Sequence, residues 1–191
     1  MFSGCQFSLY PMSDNFVDVI LPAIEAMGQT DDLRIETDDL STLVVGPPSR
    51  VFEVVSAAYA AACKAGGHVV LSALFSRGCP GEPDDPICIP DGPSTAFRQR
   101  QPGTPTGVEI DAQFSLYPLG LNDYMTTIGR VVNEARDAGV LERSKNFCTR
   151  LNGDITEVMT ALENAFNSAA RDTGHVVIHV TASKGSPSKK S

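Results

Sequence analysis

The chain has 191 residues, and 15 Lys and Arg against 23 Asp and Glu give it a formal net charge of −8. A surface of that sign repels a phosphate backbone, which argues against nucleic acid as the main partner. A hydrophobic fraction of 42% is enough for a folded core, and no apolar run approaches the roughly 20 residues that cross a bilayer. The first residues lack the basic leader and apolar stretch of a secretory signal, so we expect a cytoplasmic protein without membrane insertion.

Within the first 80 residues the hydrophobic periodicities switch in a fixed order. They predict a strand, a helix, the two strands of a hairpin, a second helix and a closing strand, at 5–10, 17–24, 34–37, 40–45, 51–62 and 68–76. The first helix carries an apolar set that should face the core, made of Val17, Ile20, Leu21 and Ile24. Pro22 lies inside that pattern, removes a backbone donor and is expected to kink the helix.

The same sequence pattern occurs a second time in the chain. The hexapeptide QFSLYP at 6–11 recurs unchanged at 113–118, an offset of 107 residues, and GHVV at 67–70 recurs at 174–177 with the same offset. The first helix aligns better at an offset of 108. Several matches in one register indicate two copies of one structural unit.

A segment of different composition separates the copies. Residues 78–111 hold seven of the 13 prolines of the chain, and prolines deny the backbone donors that helices and sheets need. We therefore assign a first repeat, a Pro- and Gly-rich connector, a second repeat and a polar tail to residues 1–80, 81–111, 112–187 and 188–191.

The order of elements predicts the fold class. The second copy repeats the pattern of the first, with Asp154 as the predicted cap of its second helix. Its first helix carries the apolar set Met125, Ile128, Val132 and Ala135. The order βαββαβ is that of ferredoxin-like domains, and ACT-like ligand-sensing modules share it. We predict an α+β fold of tandem ferredoxin-like repeats with antiparallel sheets.

Each predicted sheet has two unlike faces. In the closing strand of the first repeat, Val69, Leu71, Ala73 and Phe75 form the apolar set that should lie under the helices. The opposite face is mixed and too apolar to be left to water alone. We expect the two copies in a chain, and two chains, to cover these faces.

Catalytic and metal sites find little support in the sequence. Cys79 is the best nucleophile candidate, because the neighbouring Arg77 would favour its thiolate, but the second copy has Ser186 at that position. A structural turn is the favoured explanation, because glycine and proline are ordinary turn residues. His175 and His179 lie on one face of a strand but about 13 Å apart at ~3.3 Å per residue, too far to chelate one ion unaided. We predict no metal and no cofactor.

A polar and aromatic set recurs in both copies and is the candidate binding site. Its members are Ser8, Leu9, Tyr10, Thr42, His68 and Ser76, with the counterparts Ser115, Leu116, Tyr117, Thr149, His175 and Ser183. Hydroxyls, a ring and free backbone groups suit a small, flat heteroaromatic ligand. Thr149 shares strand parity with Leu151, so either the site lies beneath the helices or that hydroxyl is structural. The alternative is that QFSLYP recurs only because it makes a good strand.

The sequence motifs of this chain resemble those of the YkoF family over nearly its whole length. The resemblance rests on the duplicated FSLYP strand, the DDLST segment at 38–42 and the FSRGCPG segment at 75–81. It implies tandem ferredoxin-like repeats, a homodimer and one site per repeat for thiamine or its hydroxymethylpyrimidine moiety, which is a ligand and not a cofactor. It also implies a non-catalytic role in pyrimidine salvage or transport, with contact to a transporter as a further partner.

Matching positions give a site hypothesis. The Leu9 backbone and the Thr42 hydroxyl would pair with the edge of the pyrimidine, while Ser8 and Tyr10 shape the wall. Their counterparts would do the same in the second copy. Two other classes stay open, namely a regulatory module of ACT-like type and a thiol-dependent enzyme that uses Cys79.

Overall fold

Each half of the chain folds as strand, helix, hairpin, helix and strand. The structure is a computed structural model that describes residues 3–79 and 98–188. The first repeat comprises β1 (Ser3–Pro11), α1 (Phe16–Glu25), β2 (Arg34–Thr37), β3 (Thr42–Val45), α2 (Pro48–Lys64) and β4 (Val69–Arg77). The second comprises β5 (Glu109–Leu119), α3 (Tyr124–Asp137), β6 (Leu141–Ser144), β7 (Thr149–Asp154), α4 (Ile155–Ala169) and β8 (His175–Lys184).

All eight strands form one antiparallel sheet in the order β2-β3-β1-β4-β8-β5-β7-β6. Each repeat has the predicted ferredoxin-like arrangement, with its first strand flanked by its third and fourth. The expectation that the two copies cover each other's mixed faces is wrong. The closing strands β4 and β8 pair edge to edge, because each would otherwise leave a row of unpaired backbone groups. The copies therefore extend one sheet instead of stacking.

A pseudo-twofold axis passes through the junction of the repeats. Ala73 of β4 pairs directly with Val180 of β8, and these two residues are related by the repeat offset of 107. Two glycines with φ near +74° flank the axis, and each packs against the backbone of the other repeat: Gly78 against Gly174, and Gly185 against Gly67. A Cβ at Gly185 would lie 2.6 Å from the Gly67 carbonyl oxygen. The recurring Gly of SRGCP and SKGSP thus fits the joint between the repeats.

The four helices lie on one side of the sheet and enclose the core. α1 packs on α2, α3 on α4, and α2 meets α4 across the pseudo-twofold axis. The Phe52 ring stacks on Phe75 with centroids 3.9 Å apart and lies 5.7 Å from the Phe166 ring. Burial of each such side chain stabilises the fold by about 2 kcal/mol. As predicted, the alternate β4 residues Val69, Leu71, Ala73 and Phe75 are buried under the helices.

The first helix of each repeat buries a different stripe from the one predicted. In α1, Val19 and Ala23 are buried, whereas Val17, Leu21 and Ile24 of the predicted core set are exposed. In α3, the buried residues are Thr127, Val131 and Ala135, of which only Ala135 was predicted. Small side chains permit the close approach of α1 to α2 and of α3 to α4, so the larger stripe is left outside this contact. Pro22 lies within α1 at an exposed position.

The end of the connector runs along the helical layer. Most of the Pro- and Gly-rich segment, at 80–97, lies outside the described residues. β5 begins at Glu109, so residues 109–111 belong to the strand and not to the connector. Asp154 caps α4 as predicted by accepting from the Thr156 amide, and it also accepts from the Gly107 amide at 2.7 Å. This carboxylate therefore holds the connector against the start of α4. No helix in the described parts of the chain has the length and apolar character needed to span a membrane.

Candidate functional site

A hollow of about 610 Å³ opens at one end of the second repeat, between α3, β5 and the turn that joins β6 to β7. One wall is the large apolar stripe of α3, namely Tyr124, Met125, Ile128 and Val132. Leu116 and Thr149 line the opposite side, and the turn at 144–148 forms the rim. A hollow of this size with apolar walls and few polar groups is typical of a small-molecule site. We call it the second-repeat hollow.

The first repeat carries the same wall at the corresponding positions. Large apolar side chains stay exposed in pairs related by the repeat offsets: Met12 with Leu119, Phe16 with Tyr124, Val17 with Met125, and Leu40 with Phe147. Leu40 is 77% exposed and Phe147 is 91% exposed. Exposed apolar side chains that cluster in this way mark binding surfaces. We use the name first-repeat hollow for the equivalent region beside α1, which is defined by its correspondence with the second repeat.

The polar residues of QFSLYP hold the rim of each hollow. The Ser8 hydroxyl donates to the Leu40 carbonyl at 2.8 Å, and the Ser115 hydroxyl donates to the Phe147 carbonyl at 2.9 Å. In the first repeat the Gln6 amide also donates to the Ser41 hydroxyl at 3.0 Å. The recurring serine therefore has a structural task, because it fixes the hairpin turn that borders the hollow.

The rim of the first repeat is further held by a carboxylate. Asp38 accepts from the backbone amides of Leu40 and Ser41, both at 2.8 Å. These hydrogen bonds, with that of Leu40 the larger influence, hold the pKa of Asp38 below its ordinary value. The turn thus keeps a fixed negative charge at neutral pH.

The predicted site residues do not all converge. Strand pairing places Leu9, Leu116, Thr42 and Thr149 on the helix side, where the two threonines are buried. The other eight lie on the face without helices, which we call the open face: Ser8, Tyr10, His68, Ser76, Ser115, Tyr117, His175 and Ser183. The reason is strand alternation, which sends neighbouring side chains of QFSLYP to opposite faces. Ser115 and Tyr117 still border the second-repeat hollow along β5.

Several of the predicted site residues contact groups that do not belong to either hollow. The His68 imidazole lies 3.1 Å from the Ser183 hydroxyl, a hydrogen bond that joins the two repeats. Tyr117 shares a shallow groove of about 490 Å³ with Leu74 and His179. On the helix side, the Thr42 hydroxyl lies 3.0 Å from that of Thr37. The single polar site that the sequence suggested is therefore divided between two faces of the sheet.

Of the described thiols, only that of Cys148 lines the second-repeat hollow, where it lies 3.6 Å from the Gln113 side-chain oxygen. Burial raises the pKa of Cys5 well above its usual range and raises the pKa of Cys63 to about 11, so neither is a ready nucleophile. Cys79 is partly exposed beside the junction glycine Gly78, and Arg77 is buried. Cys88 lies outside the described residues. Within the described ranges, no three His, Cys, Asp or Glu side chains are grouped so as to hold a metal ion.

Sequence reasoning missed the residues that make up most of the hollow. The α3 stripe was assigned to the core, and the turn at 144–148 was not considered. A signal was present, because each first helix has two apolar stripes, one of small and one of large residues. Only one stripe can pack against the neighbouring helix, so the second is free to line a cavity.

Comparison with known proteins agrees with this architecture. The model of the YKOF-related family matches residues 2–82 and again residues 109–189, which is one match per repeat. A protein of Bacillus subtilis (strain 168) is 33% identical over 190 residues, which cover 98% of this chain and 92% of the relative. Its name is "Putative HMP/thiamine-binding protein YkoF". The duplicated fold and these two matches show that the chain belongs to the YkoF-related family.

Proposed function

We propose that this chain binds thiamine or its hydroxymethylpyrimidine moiety, with one site in the hollow of each repeat, and that it releases the ligand unchanged. The single observation that carries the proposal is the second-repeat hollow. A relative that is named for binding HMP and thiamine supports this class of ligand.

The chemistry of the hollow suits a planar ring. The α3 stripe and Leu116 offer apolar surface to the faces of the ring, while the Thr149 hydroxyl offers a hydrogen bond to its nitrogen-bearing edge. Aromatic side chains at the mouth, Tyr124 and Phe147, are half or more exposed and are available to cover a bound ligand. In the first repeat Phe16 and Leu40 hold the same places.

A binding role is favoured over a catalytic one by the residues around the hollow. Among the described residues that line it there is no Asp, Glu or His, and its Lys145 ammonium and Cys148 thiol both contact the Gln113 side-chain oxygen. The described lining therefore lacks the carboxylates and imidazoles that most often transfer protons in catalysis. Cys79 is not among these lining residues either. We therefore place the protein in ligand delivery, in pyrimidine salvage or transport.

Titration calorimetry with thiamine and with hydroxymethylpyrimidine tests the proposal. Val17→Trp and Met125→Trp enlarge equivalent exposed side chains and should each fill one hollow. The wild-type chain should show two sites, and each variant should lose one. Leu74→Trp on the open face is the matched control and should keep both. Mass spectrometry should recover intact ligand. Full binding by the double variant, or a cleaved ligand, would contradict the proposal.

The open face is the surface on which we expect a second copy to pack. It carries Tyr10 and Tyr117, which are 49% and 48% exposed, together with Leu74. Burial of such side chains is typical of homodimer contacts. Sedimentation of the wild-type chain and of Leu74→Asp should show a dimer and a monomer respectively, and a monomeric wild type would contradict this expectation.

A further inference from the structure

A cavity of about 290 Å³ lies between α2 and α4, and none of the described residues that line it also lines the second-repeat hollow. Residues related by the repeat offset line it in pairs from the two helices: Phe52 with Met159, Glu53 with Thr160, and Ser56 with Glu163. It therefore lies on the pseudo-twofold axis and belongs to both repeats. Residues 100–106 of the connector form a further wall. We call it the axis cavity.

The Glu163 carboxylate lies buried at this cavity. Its side chain is 5% exposed, and one oxygen accepts from the Arg100 guanidinium at 2.8 Å. Its other oxygen accepts no hydrogen bond from the described residues. Burial is the largest influence on the pKa of Glu163 and raises it, the nearby charge of Glu53 adds to the rise, and the Arg100 guanidinium acts in the opposite direction. The buried charge is therefore stabilised by whichever cation pairs with it.

The Arg100 side chain is a partner that another cation can replace. It is 50% exposed, so its guanidinium loses little when it returns to water. The Arg100 backbone is held separately, because its amide and carbonyl both form hydrogen bonds with the Asn164 side chain. The guanidinium can therefore leave Glu163 while the connector stays in place.

The rest of the axis cavity suits a small apolar body. Phe52, Ala57 and Met159 contribute apolar side chains, and the hydroxyls of Ser56 and Thr160 lie among them. The Ser56 hydroxyl donates to the Phe52 carbonyl at 2.5 Å, so its lone pairs remain to accept from a ligand N–H. A volume of about 290 Å³ is at the lower limit of small-molecule sites, which fits one ring with one substituent.

We infer that the axis cavity binds a compact organic cation of the amidinium or guanidinium class, which pairs with Glu163 in place of the Arg100 side chain. The planar fork of such a cation donates two parallel hydrogen bonds to a carboxylate, so it engages both oxygens of Glu163. Its ring lies against Phe52 and Met159. This site is separate from those proposed for thiamine, and it takes one ligand per chain.

Benzamidine is the probe that tests the inference, and its neutral isostere benzamide is the control ligand. Titration calorimetry on the full-length chain should show one benzamidine per chain and binding of benzamide about tenfold weaker or less. Glu163→Gln keeps the shape of the side chain and should weaken benzamidine binding about tenfold or more, the range for a hydrogen bond to a charged group. Glu157→Gln on the same helix should leave it unchanged. Met125→Trp, which fills the second-repeat hollow, should also leave it unchanged.

Removal of the internal competitor separates a binding site from a purely structural ion pair. Arg100→Ala should bind benzamidine severalfold more tightly than the wild-type chain does, and benzamidine should raise its midpoint of thermal unfolding by more. Arg98→Ala removes an exposed charge two residues away and should behave as the wild type. If Glu163→Gln does not fold, Ala57→Trp fills the axis cavity from a partly exposed position and should abolish binding. Equal benzamidine affinity in the wild-type chain and in Glu163→Gln, or no binding even by Arg100→Ala, would overturn the inference.

Discussion

Two hydroxyl groups of the second repeat, those of Thr149 and Tyr117, belong to opposite faces of the sheet, so their removal tests which face binds the ligand. Thr149 lines the hollow from the helix side, whereas Tyr117, which borders the hollow along β5, alternates with buried Leu116 and so directs its side chain to the open-face groove. Thr149→Val should weaken ligand binding about twofold to tenfold, the range expected for one neutral hydrogen bond. Tyr117→Phe also removes one hydroxyl and should change affinity less than twofold. Calorimetry in the Val17→Trp chain measures both, and the reverse order would place the ligand on the open face.

A second prediction at this scale concerns Asp154, which stabilises the start of α4 and the end of the connector together. Its replacement by Ala should lower the free energy of unfolding by about 1–3 kcal/mol, because a cap and a buried hydrogen bond are lost at once. Asp123→Ala, at the exposed cap of α3, is the control and should cost less. Urea unfolding at neutral pH measures both, and equal costs would contradict a joint role for Asp154.

The same carboxylate gives a pH dependence. Burial acts to raise the pKa of Asp154, but hydrogen bonds from Thr156, Thr106 and Gly107 outweigh it and lower the pKa below its ordinary value. The folded state therefore holds this proton less readily than the unfolded state. Its contribution to stability is present at neutral pH and is lost as the pH falls through the lowered pKa. The stability difference between wild type and Asp154→Ala should shrink accordingly in acid.

At the scale of elements, the described end of the connector is a strap that is held along α4. Asn164 of α4 accepts from the Arg100 amide at 2.8 Å and donates to the Arg100 carbonyl at 2.9 Å. The Arg100 guanidinium also reaches the buried Glu163 carboxylate at 2.8 Å. These contacts tie residues 98–107 to the helical layer.

Removal of the Asn164 side chain should therefore loosen the strap. Asn164→Ala leaves backbone groups of Arg100 without their partners, which we expect to lower the free energy of unfolding by about 1–3 kcal/mol. Limited proteolysis should cut the variant faster between residues 98 and 106. Asn133→Ala on the exposed side of α3 should change neither quantity, and an unchanged cleavage rate in Asn164→Ala would show that the strap is held elsewhere.

At the scale of the whole molecule, the pairing of β4 with β8 joins the sheets of the two repeats into one, and we call this contact the joint. Gly185→Ala places a Cβ 2.6 Å from the Gly67 carbonyl oxygen and strains a residue with φ of +74°. It should cost clearly more than Gly139→Ala, where φ is +77° but no atom lies within 4 Å of the added Cβ. We expect about 1 kcal/mol at Gly139 and at least twice that at Gly185. Equal costs in thermal unfolding would contradict a tight joint.

The ferredoxin-like repeats could be predicted because the local signals recur in the same order, at an offset of 107 residues or, in the first helix, 108. Strand alternation in β4 and the cap at Asp154 needed only neighbouring residues, and both are confirmed. The joint could not be predicted, since the pattern of a closing strand does not distinguish edge pairing from face-to-face stacking. Of the predicted site residues, Leu116 and Thr149 line the second-repeat hollow from the helix side, but the side chains of the α3 stripe were assigned to the core.

A crystal structure of the chain soaked with thiamine tests the central claim most directly. We predict density for the pyrimidine ring between the α3 stripe and Thr149, and for a second ring beside α1 near Thr42. Density only in the open-face groove between Leu74, Tyr117 and His179, or in neither hollow at saturating ligand, would contradict it.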